Sequence, residues 1–496
     1  MIRTAATKKR SATSLSRKKL NEGSPVLRLF KRMVADVPAY KKFLESNSVA
    51  AETIEKISDI ERIPVMSKNS YLREYPYKDL FWGGTLAVPH IMTSTSGSTG
   101  KPFYFARSFS VDEQSAFIHE RFFMQSSLSK TKSTLVIVCF GMGVWIGGLI
   151  TYQAFQTLGK KGYPISVITP GINKNEILKA LQQLAPHYDQ IILAGYPPFI
   201  KDVLDDTEAA GISFAQHRIA IVFAAEAFIE QFRDYVASKT GIQNVLTDTM
   251  NIYGSADLGT MAAETPLSIL IRRLAAKKPE IFKEIFGNIS KTPTLAQYIP
   301  EYTNFEAVDG QLLVTGDSAM PLCRYAIGDH GAVLSFSQIK DIFSQHGIDL
   351  QKEIREHTID PQLLKLPFVY VYERSDLSTT LYGLQIYPET IREVLLEDAF
   401  NPFVTGRFAL AQKYDENHDQ YLEINIELKR AQEATEALSS SLCTEIIRNL
   451  KLKNGEFKEL YSALGDRTVP RLVFWPHEDP IYFRRDIKQR WVIKTE

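Results

Sequence analysis

Only three cysteines occur in 496 residues, Cys139, Cys323 and Cys443, and they lie far apart with no Cys-x-x-Cys spacing. That scarcity excludes a disulfide framework and a cysteine-rich zinc site, and it points to a reducing, cytoplasmic setting. No apolar run reaches the roughly 18–20 residues of a membrane span. The longest candidate, 135–150, is broken by four glycines. Lysine plus arginine (58) nearly balance aspartate plus glutamate (57), so a net charge of +1 gives no bias toward nucleic acid or a membrane surface. What remains, 44% hydrophobic and 23% charged residues, is an ordinary globular composition, and the length exceeds a single compact core. The one local imbalance is the start: the first nineteen residues hold seven Lys/Arg and no acid. This tail, 1–24, reads as a solvated disordered segment, an arm for an anionic partner or an organelle-type presequence; it lacks the apolar core of a secretory signal.

Against this plain background one tract stands out, Thr93-Ser94-Thr95-Ser96-Gly97-Ser98-Thr99-Gly100-Lys101. Hydroxyls, glycines and a lysine have almost nothing to bury, but they can wrap a polyphosphate: the glycines let backbone N–H groups approach and the lysine supplies a point charge. A flexible Ser/Gly linker has the same composition. The flanks, 87–92 and 103–106, read as strands, which favours a hairpin presenting the loop. Pro102 after the lysine and Thr95 in place of glycine exclude a Walker A loop, and no Gly-x-Ser-x-Gly occurs in the tract.

Strand and helix patterns alternate from residue 134 onward. Strands are expected at 134–140, 166–169, 190–194, 219–224 and 245–253, with helices at 149–158, 176–184, 198–204 and 228–238. This is the signature of an α/β sheet whose ligands bind at the carboxyl ends of the strands. Residues 265–300 read as a helical, Lys-rich insertion, and the pattern turns β-rich after Phe305. From Tyr387 a helix, two strands, a helix and a last strand suggest a small α+β unit of split β-α-β type.

Three further segments carry polar chemistry. In Asn251-Ile252-Tyr253-Gly254-Ser255-Ala256-Asp257 an acid follows a strand and a glycine turn. Asp257 there could hold Mg²⁺ against phosphate oxygens, or simply form the turn. Tyr253 could stack on a purine or belong to the core. Arg324-Tyr325-Ala326-Ile327-Gly328-Asp329 places an arginine and an acid around a glycine: Asp329 could accept both hydroxyls of a ribose, or pair with Arg324. Glu373-Arg374-Ser375-Asp376, followed by Tyr382-Gly383 and Pro388, suits a hinge or a plain interdomain linker.

In order and spacing these segments resemble the core motifs of the adenylate-forming superfamily, and in detail the phenylacetate–CoA ligase family. Ser96-Gly97-Ser98-Thr99-Gly100-Lys101-Pro102 is similar to that family's phosphate loop, and Phe140-Gly141-Met142-Gly143-Val144-Trp145-Ile146-Gly147-Gly148-Leu149 to its glycine-rich acyl-pocket segment. Gly195-Tyr196-Pro197-Pro198, Ala225-Glu226 and the amino-terminal Val37-Pro38-Ala39-Tyr40 extend the likeness over 25–496. The resemblance implies a large multi-sheet α/β adenylate-forming domain, 25–375, carrying the 265–300 insertion, and a mobile α+β cap domain, 376–496. It further implies ATP, Mg²⁺ and coenzyme A as reactants and cofactors. Ser96, Gly97, Ser98, Thr99, Gly100 and Lys101 would grip the β- and γ-phosphates. Ala225, Glu226, Asn251, Tyr253 and Gly254 would frame the adenine, Asp329 and Arg374 would hold the ribose, and Asp376 would be the hinge. Phe140, Met142, Trp145 and Gly147 would line the acyl pocket. Asp257 would face Mg²⁺, with Glu264 a second metal-side carboxylate or a loop charge. Lys488 matches the family's bridging lysine, although Ile487 stands where a glycine is usual; Lys494 is the alternative. The family usually has Glu where Asp257 stands.

The expected reaction activates a carboxylic acid, aromatic or short and hydrophobic, as its acyl adenylate and then passes the acyl group to a thiol. Coenzyme A is the first acceptor to consider; a carrier-protein thiol, an amine or a protein keeps the first step and changes the second. A non-catalytic nucleotide-binding relative acting through protein contacts would share every motif.

Overall fold

A computed structural model of the chain describes residues 24–95, 103–287, 292–372, 379–479 and 482–483. Two helices open it, Pro25–Asp36 and Pro38–Ser46, each with proline in its first turn, where the missing N–H costs nothing. Pro38 thus starts a helix as well as ending one. Next comes a hairpin of β1 (Ile91–Ser94) and β2 (Tyr104–Arg107), paired from Ile91 opposite Arg107 to Ser94 opposite Tyr104. The strand pair expected around the Ser/Thr/Gly tract is present, shorter on its first side. Residues 96–102 of the tract lie outside the described residues.

The main sheet takes β3 (Thr134–Cys139), β4 (Ile165–Ile168), β5 (Gln190–Gly195), β6 (Arg218–Ala224), β7 (Thr249–Ser255), β8 (Gly259–Ala263), β9 (Thr294–Gln297), β10 (Thr303–Val308), β11 (Gln311–Gly316), β12 (Leu322–Leu334) and β13 (Phe368–Tyr372). These eleven strands run in the order β10-β11-β12-β13-β9-β8-β7-β6-β5-β3-β4. The half from β4 to β7 is parallel, and from β7 to β10 every pairing is antiparallel. Thr134–Cys139 and Gln190–Gly195 are buried along their whole length, as near-continuous apolar runs require when helices cover both faces.

Three sequence expectations need correction. The strand expected from Val245 begins at Thr249, because Asn244 caps a short helix, Val245–Asp248, by accepting the Leu246 N–H. Among the described residues, the 265–300 stretch is helical at Pro266–Ala276 and Pro279–Phe286, and it also contributes β9 to the main sheet. Those helices pack with Phe336–Gln345 and Leu350–Glu356 into a separate core around Leu267, Ile271, Phe286, Ile339 and Phe343, so the insertion and the long 337–368 stretch support each other.

The small unit has a hairpin of β14 (Thr379–Leu381) and β15 (Leu384–Ile386), the helix Pro388–Leu395, and a sheet of β16 (Val404–Tyr414), β17 (Gln420–Leu428) and β18 (Arg471–Trp475). Two helices, Glu436–Lys453 and Gly455–Leu464, join β17 to β18. The third correction lies here: β17 and β18 are parallel neighbours with β16 on the outer side, so no strand splits the β-α-β unit. Ion pairs fasten the unit to the parallel half, with Lys201 and Asp202 as their buried members. Lys201 Nζ lies 2.6 Å from Asp419, and Arg467 reaches both Asp202 and Asp419. Among the described residues, no helix is long and apolar enough to cross a membrane.

Candidate active site

The carboxyl ends of β6 and β7, the long strand β12 and the β14–β15 hairpin enclose a cavity of about 310 Å³. Its wall includes Ser94 and Thr95 from the hairpin base, Phe140, Trp145, Gly147 and Tyr196, then Ala225 and Glu226, Asn251 to Asp257, and Asp329. Segments far apart in the chain therefore meet at one opening. The stub of the Ser/Thr/Gly tract is fixed there. Thr95 N–H donates to Phe103 O at 3.0 Å, Phe103 N–H donates to Thr95 Oγ1 at 3.0 Å, and Ser94 N–H donates to Val144 O at 3.1 Å. Ser96, Gly97, Ser98, Thr99, Gly100 and Lys101 lie outside the described residues, as do Arg374, Asp376, Lys488 and Lys494.

One side of the cavity is built on β7. Asn251 is buried; its Nδ2 donates to Glu226 O at 2.9 Å and Thr294 Oγ1 at 3.2 Å, while its Oδ1 finds no partner. A buried acceptor left open in a cavity wall is costly unless a ligand or water completes it. Tyr253 stacks on Phe305 with ring centroids 5.9 Å apart, and its hydroxyl donates to Asp329 Oδ2 at 2.6 Å. Phenol and carboxylate thus hold each other at the cavity edge. Gly254 has its Cα against Gly259 O, where a Cβ would come within 2.8 Å, so the β7–β8 turn admits no side chain there.

Asp257, in the turn after β7, is 5% exposed, accepts from the Tyr325 hydroxyl at 2.7 Å and lies 3.9 Å from Lys68 Nζ. Lys68 lines the cavity and is the site residue that sequence reading passed over. Its position follows from a stitch between distant segments: Met66 N–H donates to Arg324 O, Ala326 N–H donates to Met66 O, and Arg324 Nη1 donates to the carbonyls of Glu61 and Ile63. Arg324 therefore has a structural task. It lies within β12 rather than in a turn, pairs with Glu306 at 3.1 Å, and leaves Asp329 to Tyr253.

Two further expectations are overturned. Glu264 is not beside Asp257. The β7–β8 hairpin carries it back alongside Asn251, away from the turn that holds Asp257; there it bridges Arg233 (2.8 Å) and Arg272 (3.1 Å), with all three side chains buried, and accepts the Asn251 N–H at 3.0 Å. Glu230 completes this network from the other side; burial opposes its ionisation, but Arg233 and Arg272 outweigh that and hold its carboxyl down at about 2. Met142 does not line the cavity either. Its sulfur fills the space over Gly148, where a Cβ would be only 2.5 Å away, so the loop folds that side chain onto its own helix. Phe140, Trp145 and Gly147 do line the cavity, joined by Tyr196, whose ring meets Phe140 edge-on at 5.0 Å.

The small unit closes one side. The Glu226 carboxylate accepts from Gly383 N–H and from Gln420 Nε2, so this side chain ties the two units together while its backbone carbonyl braces Asn251. Gly383 has φ +81° and lies against the Tyr196 ring, where a Cβ would come within 2.5 Å. Gly383→Ala is therefore expected to disfavour the docked arrangement by about 1–3 kcal/mol. Small-angle scattering reads this as a larger radius of gyration; superimposable curves for the two proteins would reject it.

No family model and no curated protein matches the chain. Solved structures do. The chain resembles 2-hydroxyisobutyryl-CoA ligase with 2-HIB-AMP and CoA in the thioesterification state, at TM-score 0.62 and 16% identity over 98% of this chain and 90% of that one. To the same ligase in an open conformation the TM-score is 0.50 (15% identity, 95% and 90% covered), and in the postadenylation state with 2-HIB-AMP it is 0.51 (15% identity, 98% and 91% covered). The fold is that of the adenylate-forming enzymes, a large α/β domain with a small carboxy-terminal one.

Proposed function

We propose that this protein is an ATP-dependent acid–thiol ligase of the phenylacetate–CoA ligase type, activating a small hydrophobic or aromatic carboxylic acid as acyl-AMP and transferring it to coenzyme A. One observation carries the reading: a single cavity gathers the stub of the hydroxyl-rich loop, the open amide oxygen of Asn251, the Asp329 carboxylate held by Tyr253, and an aromatic pocket. Along that cavity Asn251 Oδ1 would accept from the exocyclic amino group of adenine. Asp329, fixed by Tyr253, would accept the ribose hydroxyls. Lys68, with Lys101 of the loop, would face the phosphates. Asp257 would hold Mg²⁺, which requires only one or two carboxylates beside phosphate oxygens and supplies charge neutralisation when bound.

In the first step an oxygen of the substrate carboxylate attacks the α-phosphorus and pyrophosphate departs. Such displacements are accelerated by positioning and by cations placed where negative charge accumulates, the task given to Lys68 and Lys101. Phe140, Trp145, Gly147 and Tyr196 offer an apolar slot for the acyl group, and Gly147 leaves the face of the Phe140 side chain uncovered there. In the second step a thiol attacks the acyl carbonyl and AMP leaves. The greater likeness to the thioesterification state than to two other states of one ligase supports this arrangement as the thiol-transfer one.

The test is pyrophosphate release with a panel of aliphatic and aromatic acids, with and without coenzyme A, followed by detection of the thioester. Acid-dependent release with thioester only when coenzyme A is added is expected. Release without a coenzyme A thioester would move the acceptor to a carrier protein or amine, and no release with any acid would end the ligase reading.

A further inference from the structure

The small unit brings one ionisable group to the cavity that adenylation leaves without a task. Glu456, in the first turn of the helix Gly455–Leu464, lines the aromatic end together with Trp145, Tyr196 and Gly383. Its placement is firm. Asn454 caps the helix by accepting the Phe457 N–H at 3.0 Å, and its Nδ2 donates to the carbonyl of Gln385 at 3.2 Å, locking the helix start to β15. The backbone at Gly455 lies over the Trp145 indole, with room for a Cβ at 3.8 Å from Cζ2. Among the described residues the Glu456 carboxyl has no hydrogen bond and no ion pair. Among the described residues, the titratable groups that act on it are Glu459 on its own helix and the Tyr196 phenol, which also feels Glu226, and none of these is a cation. A helix amino-terminus favours a carboxylate, but enclosure, helped by the charge of Glu459, outweighs it and lifts this carboxyl to about 8.

Thiol transfer needs a group of this kind. A free thiol has a pKa of about 8.5, so at neutral pH most of it must lose its proton as it attacks. A base works best when its own affinity for protons lies near the working pH. We propose, resting on the ligase reading above, that Glu456 is the general base of thioester formation. Its carboxylate takes the S–H proton as sulfur bonds to the acyl carbonyl carbon; the bond from that carbon to the AMP phosphate oxygen breaks, and AMP leaves with the electron pair. Because Glu456 rides on the small unit, the base reaches the cavity in the docked arrangement described here, and the fixed wall of the large domain needs none.

The experiment compares the full-length protein with Glu456→Gln and Glu456→Asp in three assays on one activated acid: ATP–pyrophosphate exchange, hydroxamate formation with hydroxylamine, and thioester formation with coenzyme A from pH 6 to 9.5. Glu456→Gln is expected to keep exchange and hydroxamate formation within about twofold while slowing thioester formation about 100-fold at pH 7.5, a typical general-base effect. The rising limb of the thioester pH profile near 8 should disappear, the gap should narrow where coenzyme A is itself ionised, and Glu456→Asp should recover part of the rate. Wild-type thioester rates in Glu456→Gln would overturn the proposal. So would an equal fall in all three assays, which marks a structural role, or a changed KM for the acid in exchange, which marks an acyl-pocket residue. Absence of exchange in the wild type would instead remove the ligase reading itself.

Discussion

Lys68→Ala is expected to lower acid-dependent pyrophosphate exchange by about 10²- to 10³-fold, the usual consequence of removing one preorganised donor from a site where charge develops. The ammonium stands 3.9 Å from Asp257, with about a third of its side chain exposed, near the Phe105 ring and lining the same cavity as Ser94 and Thr95 at the start of the Ser/Thr/Gly tract. A partly exposed ion pair contributes little to folding, so the thermal midpoint should move by no more than a degree or two. Lys68→Arg should retain more exchange than Lys68→Ala, since the charge persists while its geometry changes. If Lys68 serves only to neutralise Asp257, the alanine variant will exchange normally and lose stability, and Lys68 will leave the phosphate site. Measuring both quantities on the same samples separates the two roles.

Local chemistry marked most of this cavity in the sequence, and the exceptions have a common physical origin. Asn251 and Tyr253 lie on β7 and Asp329 on β12, the latter two beside glycines, and Asp257 lies in the turn after β7, so strand order places them. Phe140, Trp145 and Gly147 sit where a buried strand turns into a glycine-rich helix start, a legible signal. Lys68 carried none: an ordinary lysine after Val65-Met66-Ser67, it gains its place through Met66 pairing with β12 and through Arg324, contacts that no local pattern encodes. Glu264 misled for the opposite reason. Seven residues from Asp257 in sequence, it is carried by β8 away from the turn that holds Asp257 and back to the level of Asn251. Met142 shared the glycine-rich segment with true lining residues, but Gly148 opened a niche on the wrong side of the loop. Glu456 belongs to the small unit, and its approach to Trp145 depends on how the two units dock.

Glu264→Gln is expected to destabilise the large domain by about 3–5 kcal/mol, the range found when one partner of a buried ion pair is removed and the other charge stays buried. Arg233 and Arg272 are both fully buried, with Phe228 between them (4.8 Å and 5.4 Å to the ring), so neither guanidinium can turn to water when the carboxylate goes. Glu230 would then face three arginines, Arg233, Arg272 and Arg273 at 3.1 Å, with only Arg273 sharing a second carboxylate, Asp234 at 2.9 Å. A denaturant midpoint lowered at unchanged slope reads the loss. The alternative, a metal-side carboxylate, predicts the reverse pattern: unchanged midpoint and a raised magnesium requirement. The same network sets the acid limit. Glu230 has its carboxyl near 2 in the folded chain against an ordinary value of 4.5, so as pH falls the unfolded chain takes up that proton first. Its contribution is whole above pH 4.5 and is lost progressively toward pH 2. Glu264→Gln moves the positive excess onto Glu230 and holds its proton off still more strongly. The mutant's midpoint should therefore fall at neutral pH and lose a larger share of its remaining stability between pH 4.5 and 2 than the wild type does; parallel pH profiles for the two proteins would show that Glu264 and Glu230 act independently.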